Sequence, residues 1–102
     1  MDVLLSIKRL VLRHDVIFTR KAEDEMERDD LDREMVVEAI LNAPAIAKRI
    51  RSVNPRTGGK EYLYVILGVS FDGTVIYTKG KILKRGGREV FYVLISSKKS
   101  TS

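Results

Sequence analysis

The sequence contains no cysteine and a single histidine, His14, among its 102 residues. Disulfide bonds and thiolate chemistry are therefore excluded, and so is any mechanism that needs two histidines. No apolar run approaches the roughly 20 residues needed to span a bilayer. The apolar N-terminal stretch is interrupted by Ser6, Lys8 and Arg9, and no small-residue cleavage site follows it. We therefore expect a cytoplasmic protein with neither a signal peptide nor a membrane anchor.

Length and composition describe one ordinary globular domain. The chain is 44% hydrophobic and 32% charged, without internal repeats or low-complexity segments, which suits a single modest core. Residues 1–45 hold 7 Lys and Arg against 11 Asp and Glu, a net of −4, whereas residues 46–102 hold 12 against 3, a net of +9. A basic half favours a polyanionic partner, chiefly nucleic acid. The alternative is that Lys and Arg keep the edges of a sheet soluble.

The N-terminal half is predicted to be mainly helical. Apolar residues recur near helical spacing over residues 2–13. Thr19 is a suitable N-cap for a second helix over residues 20–28, and Asp32 for a third helix that ends before Pro44.

Two features of this half invite a catalytic interpretation. His14 follows the first helix, where the helix dipole stabilises a cation; a role as general base is the alternative. The carboxylates of residues 23–38 invite a metal site, but they are spread over helix faces without a histidine. We interpret them as solvated and expect no metal and no cofactor.

The C-terminal half has the pattern of strands. Turn-forming sequences, among them Asp72-Gly73, separate four β-favouring segments: residues 46–53, 61–69, 74–84 and 89–96. Residues 16–18 are either a short strand or an extended link, and residues 97–102 are expected to form a flexible tail. The predicted fold is α+β, with N-terminal helices (residues 1–45) packed on one face of a roughly four-stranded antiparallel meander (residues 46–96).

The strand at residues 74–84 has two unlike faces. Alternate positions are small or apolar on one side (Ile76, Thr78, Gly80 and Ile82) and aromatic or cationic on the other (Tyr77, Lys79 and Lys81). If the first side faces the helices, the natural core partners on neighbouring strands are Leu63, Val65, Leu67, Phe91, Val93 and Ile95.

The open face would then carry all four tyrosines of the chain: Tyr62, Tyr64, Tyr77 and Tyr92. The preceding strand adds either Lys48 or the pair Arg49 and Arg51, because a slip of one residue exchanges them. Tyrosine rings stack on exposed RNA bases while Lys and Arg contact phosphates. The alternative is that Tyr simply fits half-exposed strand positions.

One segment resembles a known family. Phe18–Met26 reads FTRKAEDEM and precedes a capped helix that ends near a proline, and the last strand ends in FYVLISSKKS. This is similar to small bacterial toxin domains with an F-T-x-H-A-x-x-x-M segment, grouped with the BrnT and MqsR toxins of the RelE-like superfamily of mRNA interferases. The resemblance covers about residues 16–98. It implies a metal-independent endoribonuclease of a type II toxin–antitoxin system, inhibited by a cognate antitoxin.

The resemblance also carries roles to particular positions. Lys48, Tyr77 and Lys98 correspond by order to active-site residues, and the face argument adds Lys79 as a fourth catalytic candidate. The residues expected to bind nucleic acid are Arg20, Lys21, Arg49, Arg51, Tyr62, Tyr64, Lys81 and Tyr92. Lys21 is a departure, because the related segment usually has His at this position.

The expected partners are RNA, free or on the ribosome, and an antitoxin that covers the open face. Two other functions fit the same residues. One is a non-catalytic RNA- or ribosome-binding module, which would show salt-dependent affinity without cleavage. The other is a protein-interaction domain that uses the basic, tyrosine-rich face, or an edge strand that pairs two copies into a homodimer.

Overall fold

The computed structural model describes residues 2–101. Three helices and five strands follow one another in the order α1 (Val3–Leu12), β1 (Val16–Phe18), α2 (Arg20–Arg28), α3 (Arg33–Asn42), β2 (Lys48–Val53), β3 (Lys60–Val69), β4 (Val75–Arg85) and β5 (Arg88–Lys99). No helix within these residues is long and apolar enough to cross a membrane.

Each helix begins after a capping side chain, at Thr19 and Asp32 as predicted and also at Asp2. The side chains of Asp2, Thr19 and Asp32 each accept a hydrogen bond from a backbone N–H of the first turn, which satisfies donors that have no partner within the helix. After α1, His14 adopts a left-handed conformation with φ of 64°, so its backbone serves the turn that ends the helix.

The sheet has five strands in the order β1-β5-β4-β3-β2. Strands β2 to β5 form the expected antiparallel meander, and β1 pairs parallel to β5. The prediction of an α+β fold is confirmed, but the sheet is five-stranded and mixed instead of four-stranded and antiparallel. Residues 16–18 are a strand because Val16 and Phe18 pack against the core while their backbone pairs with β5.

The expected flexible tail at residues 97–102 is also wrong in its first part. β5 continues to Lys99, and Ser97 is fully buried. The backbone of this last segment forms hydrogen bonds with β4 on one side and with side chains of Glu25 and Asp29 on the other. These long-range contacts cannot be deduced from the composition of the segment.

All three helices lie on one face of the sheet. Ile7, Val36 and Ile40 from the helices pack with Ile66, Leu94 and other sheet residues in one buried cluster. Gly68 of β3 permits the closest approach: a Cβ atom there would lie 1.8 Å from the backbone oxygen of Ala39 in α3.

The predicted faces are correct for β4 and wrong for β3 and β5. Ile76, Thr78 and Gly80 face the helices as expected, but their partners in register are Gly68, Ile66 and Tyr64 on β3 and Ser97 and Leu94 on β5. The expected core residues Leu63, Val65, Leu67, Phe91 and Val93 therefore lie on the open face. Two glycines explain the choice: Gly68 makes room for α3, and Gly80 for the ring of Tyr92, since a Cβ at Gly80 would lie 2.6 Å from Tyr92 Cζ.

Candidate nucleic-acid interface

The face of the sheet opposite the helices carries a group of cations. This group consists of Lys48, Tyr77, Lys79, Lys81 and Lys98, and we call it the lysine face. Each is placed there by register: Lys48 and Lys79 both lie opposite Val65, Tyr77 lies opposite Lys98, and Lys81 lies opposite Val93. The four residues predicted as catalytic are thus on one side of the sheet.

Lys48 and Lys79 flank a single valine. Strands lie about 4.8 Å apart, so two strand spacings separate the backbones of these lysines across β3. Val65 is only 6% exposed although the helices do not cover it. Long aliphatic lysine stems can cover such a residue while their ammonium groups stay in water. The two ammonium groups can therefore approach one phosphate from both sides of Val65.

Tyr77 and Lys98 form a contact in the next row of the sheet. The Nζ atom of Lys98 lies 5.3 Å from the centroid of the Tyr77 ring, within cation–π range. The rows of Lys79 and Tyr77 are two residues apart on β4, a distance of about 6.8 Å along an antiparallel strand. All four side chains can thus contact the same stretch of a bound polymer.

The lysines of this face differ in their ionic partners. Lys81 Nζ lies 3.3 Å from Glu61 Oε2, so its charge is neutralised locally. Among the carboxylates of residues 2–101, none lies within 4.0 Å of the ammonium groups of Lys48, Lys79 or Lys98. The side chains of these three lysines are therefore available to a partner outside the described chain.

Five of the predicted RNA-binding residues lie on the other face, and the prediction that all tyrosines share the open face is wrong. The residues on the helical side are Arg49, Arg51, Tyr62, Tyr64 and Tyr92. Tyr92 is fully buried, so its ring cannot stack on a base. Arg49 and Tyr62 contact each other, with the guanidinium carbon 4.5 Å from the ring centroid. Burial raises the pKa of Tyr64, so its phenol remains protonated and able to donate a hydrogen bond.

Arg20 and Lys21, the remaining candidates, lie on α2. Lys21 Nζ is 3.2 Å from Glu25 Oε2, one helical turn away. Glu25 Oε1 accepts hydrogen bonds from Ser96 Oγ at 2.7 Å and from the backbone N–H of Ser97 at 3.1 Å. Burial alone would raise the pKa of Glu25, but the hydrogen bonds from Ser96, Lys21 and Ser97 together lower it below its ordinary value. Lys21 thus supports a structural carboxylate.

Two carboxylates, Glu25 on α2 and Asp29 at its C-cap, bind the end of β5 where a neighbouring strand is missing. β1 stops at Phe18, which leaves the N–H groups of Ser97 and Lys99 facing α2. Glu25 accepts the first, and Asp29 Oδ2 accepts the second at 3.0 Å. Alternate N–H groups on one edge of a strand are about 6.8 Å apart, and residues four apart on a helix are separated by about 6 Å along its axis. Carboxylates at positions i and i+4 of a helix can therefore accept hydrogen bonds from alternate N–H groups of the strand. The bond from Lys99 is the main cause of the lowered pKa of Asp29.

Sequence reasoning missed this role of α2, since Glu25 was interpreted as part of a solvated helix face. The available signal was the i, i+4 spacing of Glu25 and Asp29 with Ala22 and Met26, which places one carboxylate at the border of the buried stripe. Within residues 2–101, no group of three or more His, Cys, Asp or Glu residues could hold a metal ion. His14 lines a small cavity with Phe18 and Arg33 on the helical side, away from the lysine face.

Comparison of the chain with protein-family models, curated proteins and solved structures gave no significant match.

Proposed function

We propose that the protein is an endoribonuclease that cleaves RNA on the lysine face without a metal. The observation that supports this most strongly is the placement of three lysines without carboxylate partners in residues 2–101, Lys48, Lys79 and Lys98, beside Tyr77 on one uncovered sheet face. A cationic surface of this kind attracts the phosphates of RNA. The type II toxin resemblance and a cytoplasmic location, where mRNA is the substrate, belong to the same proposal.

The reaction can be written with the RNA as its own nucleophile. The 2′-oxygen attacks the adjacent phosphorus, an O2′–P bond forms and the P–O5′ bond breaks. The products carry a 2′,3′-cyclic phosphate and a 5′-hydroxyl. The protein must accept the 2′-OH proton, stabilise the extra negative charge and protonate O5′.

The lysine face offers a group for each task. Lys48 and Lys79 bind the non-bridging phosphate oxygens from the two sides of Val65. The Lys98 side chain, after its ammonium has released a proton to solvent, accepts the 2′-OH proton, and the Tyr77 hydroxyl donates its proton to O5′. Solvent water then returns a proton to the Tyr77 phenolate, so that Tyr77 is again a hydroxyl and Lys98 again an ammonium.

The test is incubation of the purified protein with a structured mRNA in EDTA. We expect wild type to cleave and the Tyr77→Phe/Lys79→Ala double variant to lose at least about 100-fold in rate, the usual scale for a general acid or an electrostatic contact. The fragments should end in cyclic phosphate, and RNA with 2′-O-methyl groups should remain intact. Equal cleavage by both proteins, prepared identically, would contradict the proposal.

Lys98 and Lys99 provide a matched control. They are neighbours on β5, but Lys98 lies opposite Tyr77 on the lysine face and Lys99 lies opposite Ile76 on the helical side. Both substitutions by alanine remove one positive charge. Only Lys98→Ala should slow cleavage; an equal loss in Lys99→Ala would mean that net charge matters and the face does not.

A non-catalytic RNA-binding module is the second candidate. The observation that favours it is the contact of Lys98 Nζ with the Tyr77 ring, because an aromatic ring attracts the charged ammonium, which binds phosphate but cannot accept a proton. Under this proposal wild type binds mRNA with an affinity that falls steeply with salt, and the RNA stays intact in EDTA.

A protein partner is the third candidate, and it is compatible with both others. Leu67, Val69 and Val75 are 41%, 43% and 44% exposed at the end of the lysine face near the β3–β4 turn. An antitoxin with acidic and apolar residues would complement this surface, and a second copy of the chain would not neutralise it. An acidic partner should therefore compete with RNA, and Lys79→Ala should weaken both complexes.

A further inference from the structure

A groove lies on the helical side of the sheet, where the β3–β4 and β4–β5 strand pairs extend past the start of α1. It encloses about 450 Å³ and is bordered by Val3 of α1, Tyr62 and Tyr64 of β3, Ile82 and Lys84 of β4, and Glu89 of β5. Small-molecule sites usually have volumes of about 300–1,000 Å³. We call it the hairpin groove.

Tyr62, which lines the hairpin groove, carries a cation stacked on its ring. Arg49 on β2 places its guanidinium carbon 4.5 Å from the centroid of Tyr62, and Tyr62 is 40% exposed. No carboxylate of residues 2–101 lies within 4.0 Å of the Arg49 guanidinium. RNA bases stack on guanidinium planes as well as on aromatic rings, so this pair provides a platform for a flat ring.

The polar groups around this platform include both donors and an acceptor. Lys60 and Lys84 border the groove as cations, and the Glu89 carboxylate borders it without an ion pair within the described chain. A carboxylate accepts hydrogen bonds from the exocyclic amino group of a base, and lysine binds phosphate. Apolar contact comes from Val3 and Ile82. A nucleoside phosphate matches this set of groups.

The groove is joined to the lysine face by the edge strand β2. Successive residues of a strand point to opposite faces, so Lys48 projects onto the lysine face while Arg49 and Arg51 project onto the helical side. A single RNA strand that crosses the outer edge of β2 therefore contacts cations on both faces.

We propose that the hairpin groove binds one nucleotide of a single-stranded RNA whose neighbouring phosphates lie on the lysine face, with the base stacked on the Arg49–Tyr62 pair. This inference rests on the proposed function, to which it adds the path of the substrate and a requirement for unpaired RNA. The Glu89 carboxylate makes bases with an amino group, adenine, cytosine or guanine, the preferred occupants over uracil.

The experiment is titration of the ¹⁵N-labelled protein, followed by NMR. Two probes are used: 5′-AMP, and a 2′-O-methylated hexa-adenylate that cannot be cleaved through its 2′-oxygen. AMP should shift the amide signals of residues 60–64, 82–84 and 89, and the hexamer should also shift residues 48 and 77–79. We expect the hexamer to bind at least about ten-fold more tightly than AMP, because it contacts additional cations.

Variants separate the groove from the catalytic face. Tyr62→Ala should weaken AMP binding about ten-fold, the scale of one base–aromatic stack, and Arg56→Ala, an exposed arginine in the β2–β3 turn, is the charge control for Arg49→Ala. Tyr62 and Arg49 are exposed, so we expect their variants to fold. Dispersed amide signals in the NMR spectra will check this. Tyr77→Phe/Lys79→Ala should bind AMP as wild type does, even if RNA cleavage is never detected.

Two results would overturn the inference. One is AMP binding that leaves the groove signals unshifted or is indifferent to Tyr62→Ala. The other is equal affinity for AMP and the hexamer, which would mean that no strand crosses β2. If the expected amide shifts are observed but RNA is not cleaved, the proposed catalysis is refuted, whereas the assignment of the hairpin groove as a nucleotide site stands.

Discussion

Replacement of Glu25 by alanine should strongly destabilise the protein. Its carboxylate accepts hydrogen bonds from Ser96 Oγ and the backbone N–H of Ser97, and these two residues are 2% and 0% exposed. Hydrogen bonds to a charged group contribute about 1.5–3 kcal/mol each. The ion pair with Lys21 adds at most about 1 kcal/mol, since that side chain is largely exposed.

The expected loss for Glu25→Ala is therefore about 3–7 kcal/mol, a large share of the roughly 5–15 kcal/mol by which such domains are stable. Urea unfolding followed by circular dichroism measures it. With a slope of about 2 kcal/mol per molar urea, the midpoint should fall by about 1.5–3.5 M. Glu25→Gln keeps an acceptor oxygen and loses the charge, so its midpoint should lie between the two.

The pH dependence provides an independent check. The pKa of Glu25 is lowered in the folded protein from its ordinary value of 4.5, so the ionised carboxylate stabilises the fold above pH 4.5. This contribution is lost as the pH falls through the folded-state pKa. The stability difference between wild type and Glu25→Gln should thus be largest near neutral pH and narrow below pH 4.5. A Glu25→Ala midpoint within about 0.3 M of wild type at pH 7 would refute the reasoning.

Other substitutions test the packing of the sheet. Gly68→Ala places a Cβ atom 1.8 Å from the Ala39 oxygen, a clash with backbone that should cost at least about 3 kcal/mol in urea unfolding, whereas Gly59→Ala meets only a side-chain hydroxyl at 3.2 Å and should be nearly neutral. Gly80→Ala should cost about 1–3 kcal/mol, because the added carbon displaces the Tyr92 ring. Tyr92→Phe should leave stability unchanged or raise it by about 1 kcal/mol, because its buried hydroxyl has no hydrogen-bond partner in residues 2–101. RNA affinity should also be unchanged in Tyr92→Phe, and a loss would show that the buried tyrosine does contact RNA.

The helices and the meander could be predicted from the sequence because their signals are local. Caps at Thr19 and Asp32 and the Asp-Gly turn act over a few residues, and the structure places these features as expected. The pairing of β1 with β5 could not be predicted, because it joins residues 16–18 to a segment more than seventy positions away, and three residues carry no periodicity.

The candidate site was predicted only in part, for a reason that lies in β3. Leu63 to Leu67 is apolar or aromatic at every position, so alternation does not identify the face that packs on the helices. The close approach of Gly68 to α3 determines which face of β3 packs on the helices. This is a tertiary contact, which local sequence does not show. Tyr77, Lys79 and Lys81 were placed correctly because β4 alternates clearly, and the tyrosines of β3 and β5 were misplaced because those strands do not.

The position of Lys98 depends on an irregularity in β5. Lys79 pairs with Ser96 and Gly80 with Leu94, so Ile95 forms a bulge. A regular strand would place Ser97 opposite Tyr77 and turn Lys98 toward the helical side. The bulge is followed at once by the two groups that hydrogen-bond to Glu25, so α2 holds the strand in the register that the lysine face requires.

Glu25 should therefore influence RNA binding although it contacts no residue of that face. We expect Glu25→Ala to lower the affinity for RNA, under conditions where the variant is folded, by as much as Lys98→Ala does. If Glu25 acts through the register of Lys98, the double variant should bind no more weakly than either single variant, because residues that act through one interaction are not additive. Two independent losses that add in free energy would show that the bulge and Lys98 contribute separately, and the proposed link between α2 and the lysine face would be wrong.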